Sequence, residues 1–470
     1  MMRSLVVLLA FATPSLAADP KPTVRAGAFA MDVTPEHFPI SVNGGMADNQ
    51  AKSAHDRLHA RCLVLDDGTT KLALIVVDSC MLPRELLDKA KELAKGKTGI
   101  PTSHMLISAT HTHSAPTSTG VFQSDPDEKY VAWLPGKIAE GIAKANGNLV
   151  DAELGWGVVD EPTQVFNRRW WIKPGVENRD PFGNTTDLVR MNPGSQNPAL
   201  LASAGPTDPG VSILAARTKA GKPIALFGNY SLHYVGGLPA LSADYFGVFS
   251  ELIAGKVDAR NGEPKFVGAM FNGTSGDVNN INFRAAALPS KPGERLRLVA
   301  DVVASAAKKA YDQAKFTPTV TLAVAETEVE LKVRKPTEAE LKQAKVILSK
   351  VDSRELRGLE EVYARETVLL AKYPDTVKLK LQAMRIGSLG VVGIPCEVFT
   401  EIGLEIKRRS PLQPTFTVSL ANGYNGYLPT PQQHRWGGYE TWRARSSYLE
   451  VSASDTITKT VLDLLATVAK

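Results

Sequence analysis

The apolar positions of this chain fall into short blocks that alternate with amphipathic stretches. Leu72 to Asp78 is a continuous apolar run ending in an acid, the pattern of a strand buried on both faces. Arg84 to Lys95 then repeats its apolar residues at helical spacing, with Pro83 at its start and Gly96 at its end, and His104 to Ser108 is a second apolar block. The order strand, helix, strand predicts an α/β fold: mixed central β-sheets flanked by α-helices, with the active site at the carboxyl ends of strands.

Further strands are expected at Glu153 to Val159, Lys222 to Gly228, Lys265 to Phe271, Ile386 to Ile394 and Thr415 to Leu420. They are followed by Arg168, His233, the turn Gly273-Thr-Ser-Gly-Asp277, Glu397 and Tyr427, respectively. Strand ends that each deliver a reactive side chain are what one composite site at a sheet edge requires. Charged helical periods at Glu338 to Asp352 and Arg354 to Lys372 predict a helical insertion over 336–373, packed outside the sheet with a solvated outer face. Lys173 to Asp208, rich in Pro, Gly and Asn, predicts a long surface loop bordering a cleft. Asp455 to Lys470 reads as an amphipathic terminal helix capped by Ser454 or Asp455.

The N-terminus changes the picture. Arg3, the apolar run Leu5 to Phe11 and the small-residue site Ser15-Leu-Ala17 predict a signal peptide over 1–17, cleaved near Ala17, and hence an exported protein, periplasmic or secreted. No later run approaches the roughly 20 apolar residues of a membrane helix, so no transmembrane anchor is expected, and peripheral membrane contact stays open. Residues 18–470 read as a single catalytic domain. Three cysteines in 470 residues allow at most one bridge. A net charge of +5, with 54 basic residues interleaved among 49 acidic ones, gives no footprint for nucleic acid.

The candidate chemistry centres on His111-Thr-His113, two of only eight histidines in the chain. In an extended segment residues i and i+2 share a face, so one ring can hold a metal while the other handles a proton. His233, Glu397 and Tyr427 occupy comparable strand-end positions, and a His-His-Glu set with one position left for water is a known way to hold catalytic zinc. Each also has a plainer account. His233 could be an ordinary sheet-edge histidine, Glu397 a first-turn acid after Pro395, and Tyr427 a turn tyrosine. Arg168 offers a cation to an oxyanion or joins a surface ion pair. Asp244 orients a ligand histidine or caps a helix, and Trp170 and Trp171 suit core or rim packing.

Read together, eight segments resemble the catalytic domain of the neutral/alkaline non-lysosomal ceramidases, which are zinc amidases. They are Gly27-Ala-Phe-Ala-Met-Asp-Val-Thr-Pro35, Ala109-Thr-His-Thr-His-Ser-Ala-Pro116, Asn167-Arg168, Asp208-Pro209, Ser242-Ala-Asp-Tyr245, Gly276-Asp-Val278, Pro395-Cys-Glu397 and Gly426-Tyr427. The resemblance implies one Zn2+ per chain, held by His111, His233, Glu397 and Tyr427. It also implies His113, Arg168 and Tyr439 around the scissile carbonyl, with Asp277 and Asn279 toward the substrate. Tyr427 and Tyr439 stand twelve positions apart, a spacing like that of the family's paired tyrosines. In two respects the chain departs from the pattern. Gly276-Asp-Val-Asn-Asn-Ile281 replaces Gly-Asp-Val-Ser-Pro-Asn, so an amide stands at Asn279 where the family has a serine, and no C-terminal immunoglobulin-like domain like that of longer ceramidases is expected within residues 18–470.

The expected activity is hydrolysis, by zinc-activated water, of the amide bond of an N-acyl substrate, ceramide-like, small-molecule or lipid. An esterase or other deacylase using the same site on a soluble substrate is the alternative within hydrolases. A catalytically silent exported binding protein is the alternative outside them.

Overall fold

The computed structural model describes residues 23–287, 289–353 and 355–470. The expected signal peptide lies outside the described residues. Eight strands form the larger sheet: β1 (Arg25–Asp32), β2 (His59–Asp66), β3 (Lys71–Val77), β4 (Met105–Ala109), β5 (Val150–Asp160), β6 (Gly210–Thr218), β7 (Pro223–Tyr230) and β8 (Val267–Asn272). Their order is β8-β7-β6-β5-β1-β2-β3-β4. The interior pairs are antiparallel, and the two edge pairs, β3 with β4 and β7 with β8, are parallel. A second sheet has the order β9 (Leu322–Lys332), β10 (Thr376–Ile386), β11 (Leu389–Gly393), β12 (Thr415–Val418), and its last pair is again parallel.

The sheets stack face to face with helices outside, giving a mixed α/β sandwich of four layers. Alternation along β3 shows why. Leu72, Leu74 and Val76 join Met384, Ile386, Leu389, Val391 and Phe416 of the second sheet in one core. Ala73, Ile75 and Val77 point the other way, onto Leu86, Leu87 and Ala90 of α1 (Arg84–Thr98) and Ile138 and Ile142 of α2 (Glu128–Gly147). Both faces are dry, so the strand is an unbroken apolar run. At the far end of the large sheet, Ile213 and Leu226 pack on Phe246 and Phe249 of α3 (Asp244–Lys256) and on Val299 and Val303 of α4 (Glu294–Gln313). The second sheet is covered by Ile402 and Ile406 of α7 (Thr400–Arg409) and by Ile457, Val461 and Leu465 of α8 (Ala453–Ala469).

Each parallel pair is one strand-helix-strand crossover: β3-α1-β4, β7-α3-β8 and β11-α7-β12. The carboxyl ends of these three crossovers carry the four candidate metal ligands described below.

Several sequence expectations are corrected at this level. Ile386 to Ile394 is not one strand; Gly387 adopts φ 62° and folds the segment into the β10–β11 hairpin. Helix α1 runs past Gly96 and stops at Gly99, whose left-handed φ of 73° lets its N–H return to the Lys95 carbonyl. The segment 173–208 is not wholly loop: Val189–Met191 and Leu200–Ser203 flank Arg169–Ile172 in a three-stranded sheet. The terminal helix begins at Ala453, with Ser452 at its cap position. The insertion contains α5 (Glu338–Leu348) and α6 (Leu359–Leu370), both shorter than their periodicity suggests, and α6 buries Val362 and Tyr363 rather than only shielding the sheet. Cys62, Cys80 and Cys396 are all free and buried. Among the described residues no helix is long and apolar enough to cross a membrane.

Candidate metal centre and active site

The ends of β3 and β4 fix the first ligand. Just past β4, His111 takes a left-handed φ of 74°, unusual for a residue with a side chain, and its N–H donates to the Ser79 carbonyl at 2.9 Å. Its ring Nδ1 lies 2.8 Å from the carbonyl of Cys80, which follows β3. The β7–β8 pair repeats the device: His233 follows β7, and its Nδ1 lies 3.1 Å from the carbonyl of Ser275, which follows β8. A carbonyl oxygen only accepts, so in each ring Nδ1 carries the hydrogen and the Nε2 lone pair faces inward. From the third crossover come Glu397 and Tyr427, which pair in register in a two-residue parallel ladder beyond β11 and β12.

These groups converge. His111 Nε2 is 3.2 Å from His233 Nε2 and 3.2 Å from Glu397 Oε2, and that oxygen is buried without a hydrogen-bond partner. His111, His233 and Glu397 are all buried, with one ligand atom of each within 4.8 Å of the others. Two imidazole lone pairs facing each other repel unless a proton or a metal cation lies between them. The spacing fits that account, since ligands at about 2.0–2.1 Å around a tetrahedral zinc stand roughly 3.3 Å apart. Electrostatics agree: burial opposes charge on His111, yet the Glu397 carboxylate raises its pKa well above the usual imidazole value. The same field would draw a metal ion. Burial, then the positive fields of Arg168 and His111, pushes the His233 pKa well down and keeps that ring neutral, as a ligand must be.

His113 also approaches, with Nε2 at 3.2 Å from His111 Nε2. The segment between them is not extended, as the φ of His111 shows, and the two rings meet edge to face at 4.7 Å between centroids. His113 stacks on Tyr234 at 3.7 Å, and its other side rests on Gly44. A Cβ at Gly44 would sit 2.4 Å from that ring. Burial, followed by the charges of His111 and Arg168, pushes the His113 pKa well below the usual value.

Arg168 is buried and anchored through Nε and one Nη. Its guanidinium donates to Glu440 Oε1 (3.0 Å), the Gly276 carbonyl (2.8 Å) and the Tyr427 hydroxyl (3.1 Å). Glu440 also takes Arg169 at 2.6 Å, forming a buried Arg-Glu-Arg triad. Tyr439 meets Tyr427 edge to face, with centroids 5.8 Å apart. Burial, with the Glu397 charge, raises the pKa of both phenols. His111, His113, Glu397, Tyr427 and Tyr439 all line one pocket of about 320 Å3 of empty space, mouth included.

Arg168, His233, Asp277, Asn279 and Asp244 do not line that pocket. Asp277 is fully buried, accepts from Thr400 at the start of α7 and from Asn167, and burial pushes its pKa up to about 6. Asn279 donates to Asn192 and accepts from the Ile281 N–H. Asp244 accepts from the Val235 and Gly236 N–H groups, so it braces the chain that follows His233, while the ring itself is oriented by Ser275. Trp170 is buried, with its indole N–H on the Asn167 carbonyl.

Sequence reasoning missed two side chains. The Tyr424 hydroxyl donates to Glu397 Oε1 at 3.1 Å, and Glu440 anchors Arg168. Both stand in the very segments that carry Tyr427 and Tyr439. The orienting carbonyls of Cys80 and Ser275 have no signal in sequence, because every residue has one.

The class thus defined is an α/β protein with a buried His-His-Glu cluster, placed at the carboxyl ends of strands, that could hold a metal ion. Neither a family model nor a curated protein matches the sequence. Solved structures do match: a neutral ceramidase from Pseudomonas aeruginosa has a TM-score of 0.73 at 19% identity, covering 96% of this chain and 75% of that one. A ceramidase complexed with C2 has a TM-score of 0.71 at 17% identity, covering 95% and 75%. The chain has the neutral-ceramidase fold.

Proposed function

We propose that this chain is a zinc-dependent amidohydrolase that cleaves the amide bond of an N-acyl substrate, with His111, His233, Glu397 and Tyr427 as ligands. One observation carries the reading: two buried imidazoles of fixed tautomer and an unpartnered carboxylate oxygen turn toward one point at a pocket wall. Nitrogen and oxygen donors of this kind suit catalytic zinc. When bound there, the ion supplies Lewis acidity, polarising a carbonyl and acidifying water. The fold shared with a neutral ceramidase favours an amide over an ester.

The chain's own groups account for the rest. His113 is neutral and immobilised between Tyr234 and Gly44, so its Nε2 takes the proton of the attacking water and returns it to the leaving nitrogen. Arg168 and Tyr439 stabilise the charge that develops on the carbonyl oxygen. Support comes from the anchoring of Arg168 by Glu440 and Gly276, which leaves no reorganisation for the moment of reaction. Asp277, Asn279 and Asp244 act through other residues, holding the chain behind the pocket. The leader-like N-terminus supports action after export.

Metal analysis together with a panel of N-acyl sphingosines, other N-acyl amines and acyl esters tests this reading. Zinc at one per chain with turnover of N-acyl compounds is the expected result. Turnover of esters alone would make the chain an esterase, and zinc without any turnover would make it a binding protein.

A further inference from the structure

Part of the pocket wall is apolar, and Phe122 stands in it beside Met81 and Val121. Phe122 occupies the first central position of the tight turn Val121–Ser124 with a φ of 54°, a place where glycine is the ordinary occupant. Something must hold a bulky aromatic there. Its carbonyl accepts from two guanidinium groups, Arg365 of α6 and Arg445 at 3.1 Å, and Arg445 is itself paired with buried Glu366 of α6 at 2.7 Å. The next residue, Gln123, exchanges side-chain hydrogen bonds with the Leu356 backbone at 2.8 and 3.1 Å. The turn is therefore bolted to the helical insertion from three sides.

The ring so positioned lies in the pocket wall with Met81 and Val121, 6.4 Å from the Tyr439 ring, and is backed by Tyr363 of α6 at 5.9 Å. Behind it stands the buried cluster of Val362, Tyr363 and Ala444. All the empty space of the pocket, open solvent at its mouth included, comes to about 320 Å3. Two long lipid chains do not fit such a space.

We propose that Phe122, clamped by Arg365 and Arg445, is the specificity-determining residue of the site and restricts it to acyl compounds with a short acyl group. This rests on the amidohydrolase reading for its reaction, while the depth of the pocket can be tested without it. An aliphatic chain that extends past the metal ligands meets the Phe122 ring. Phe122→Ala removes that wall, and Arg365→Met loosens it from outside the pocket.

The test uses the zinc-loaded full chain with two readouts. The first is kcat/KM for N-acyl derivatives of one amine, from acetyl to palmitoyl. The second is calorimetric binding of acyl hydroxamates over the same lengths, which needs no turnover. Wild type is expected to favour short chains in both. Phe122→Ala should raise the long-to-short ratio at least about tenfold, and Arg365→Met should raise it in the same direction by less. A purely structural role would lower all chain lengths together and leave the ratio unmoved. Wild type that accepts palmitoyl as well as acetyl compounds, or ratios unchanged in both variants, would overturn the proposal. Length-limited hydroxamate binding without amide turnover would instead sink the amidase reading and leave the pocket assignment standing.

Discussion

Glu397 gives one carboxylate oxygen to the Tyr424 hydroxyl at 3.1 Å and keeps the other unpartnered toward His111. The hydroxyl thereby decides which oxygen is free for a cation. Tyr424→Phe should weaken zinc binding by about 10–100-fold, the usual effect of removing a group that orients a ligand. Competition against a chelator measures it; an unchanged affinity would show that Glu397 needs no such partner.

Gly44 is where the His113 ring lies against backbone. A methyl group there would stand 2.4 Å from the imidazole, at a φ of 111° that side chains rarely adopt. Gly44→Ala should therefore displace His113, lowering kcat by roughly 10²–10⁴ as befits loss of a general base, while zinc content holds. Loss of metal in step with activity would contradict the separate role given to His113.

Asn279 stands where the resembling family has serine, yet its side chain is occupied by Asn192 and the Ile281 N–H, away from the pocket lining. Asn279→Ser is expected to leave kcat/KM within about threefold of wild type, roughly 0.6 kcal/mol of transition-state stabilisation. A larger change in steady-state kinetics would bring this position into contact with substrate.

How far the chain discloses itself differs from element to element. Leu72 to Asp78 was legible because a strand dry on both faces must be apolar throughout, and a helix after it then implies a parallel neighbour. The same reasoning reached His111, His233, Glu397 and Tyr427 as strand-end residues. It merged β10 and β11, since Gly387 and Ser388 interrupt the apolar run too briefly to announce a hairpin. Amphipathicity gave α6 an inward face but not its partner, and that partner is Phe122 at the pocket. An extended His111-Thr-His113 was the natural assumption, but a left-handed φ at His111 shows up only where Ser79 and Cys80 hold it.

Lys91 of α1 is wholly buried, with Nζ on Asn422 Oδ1 at 2.8 Å, and so ties the tyrosine-bearing loop to α1. Burial lowers its pKa from 10.5 to about 8. Because the folded value is below the unfolded one, the folded chain carries an unfavourable charge below pH 8 and recovers stability as pH rises from about 8 to 10.5. Denaturant unfolding of wild type against Lys91→Met should show the difference shifting toward wild type by about 3 kcal/mol across that window. A difference independent of pH would contradict this.

On the proposed reading His111, His233 and Glu397 hold one catalytic cation. Its most direct measurement is zinc per chain, by elemental analysis after dialysis, in wild type, His111→Ala, His233→Ala and Glu397→Gln, with N-acyl amide turnover followed in parallel. Wild type should retain about one zinc and lose turnover when it is chelated, and each variant should fall well below one. Full zinc in the His111→Ala and His233→Ala variants, or undiminished amide hydrolysis by the metal-free chain, would contradict the account.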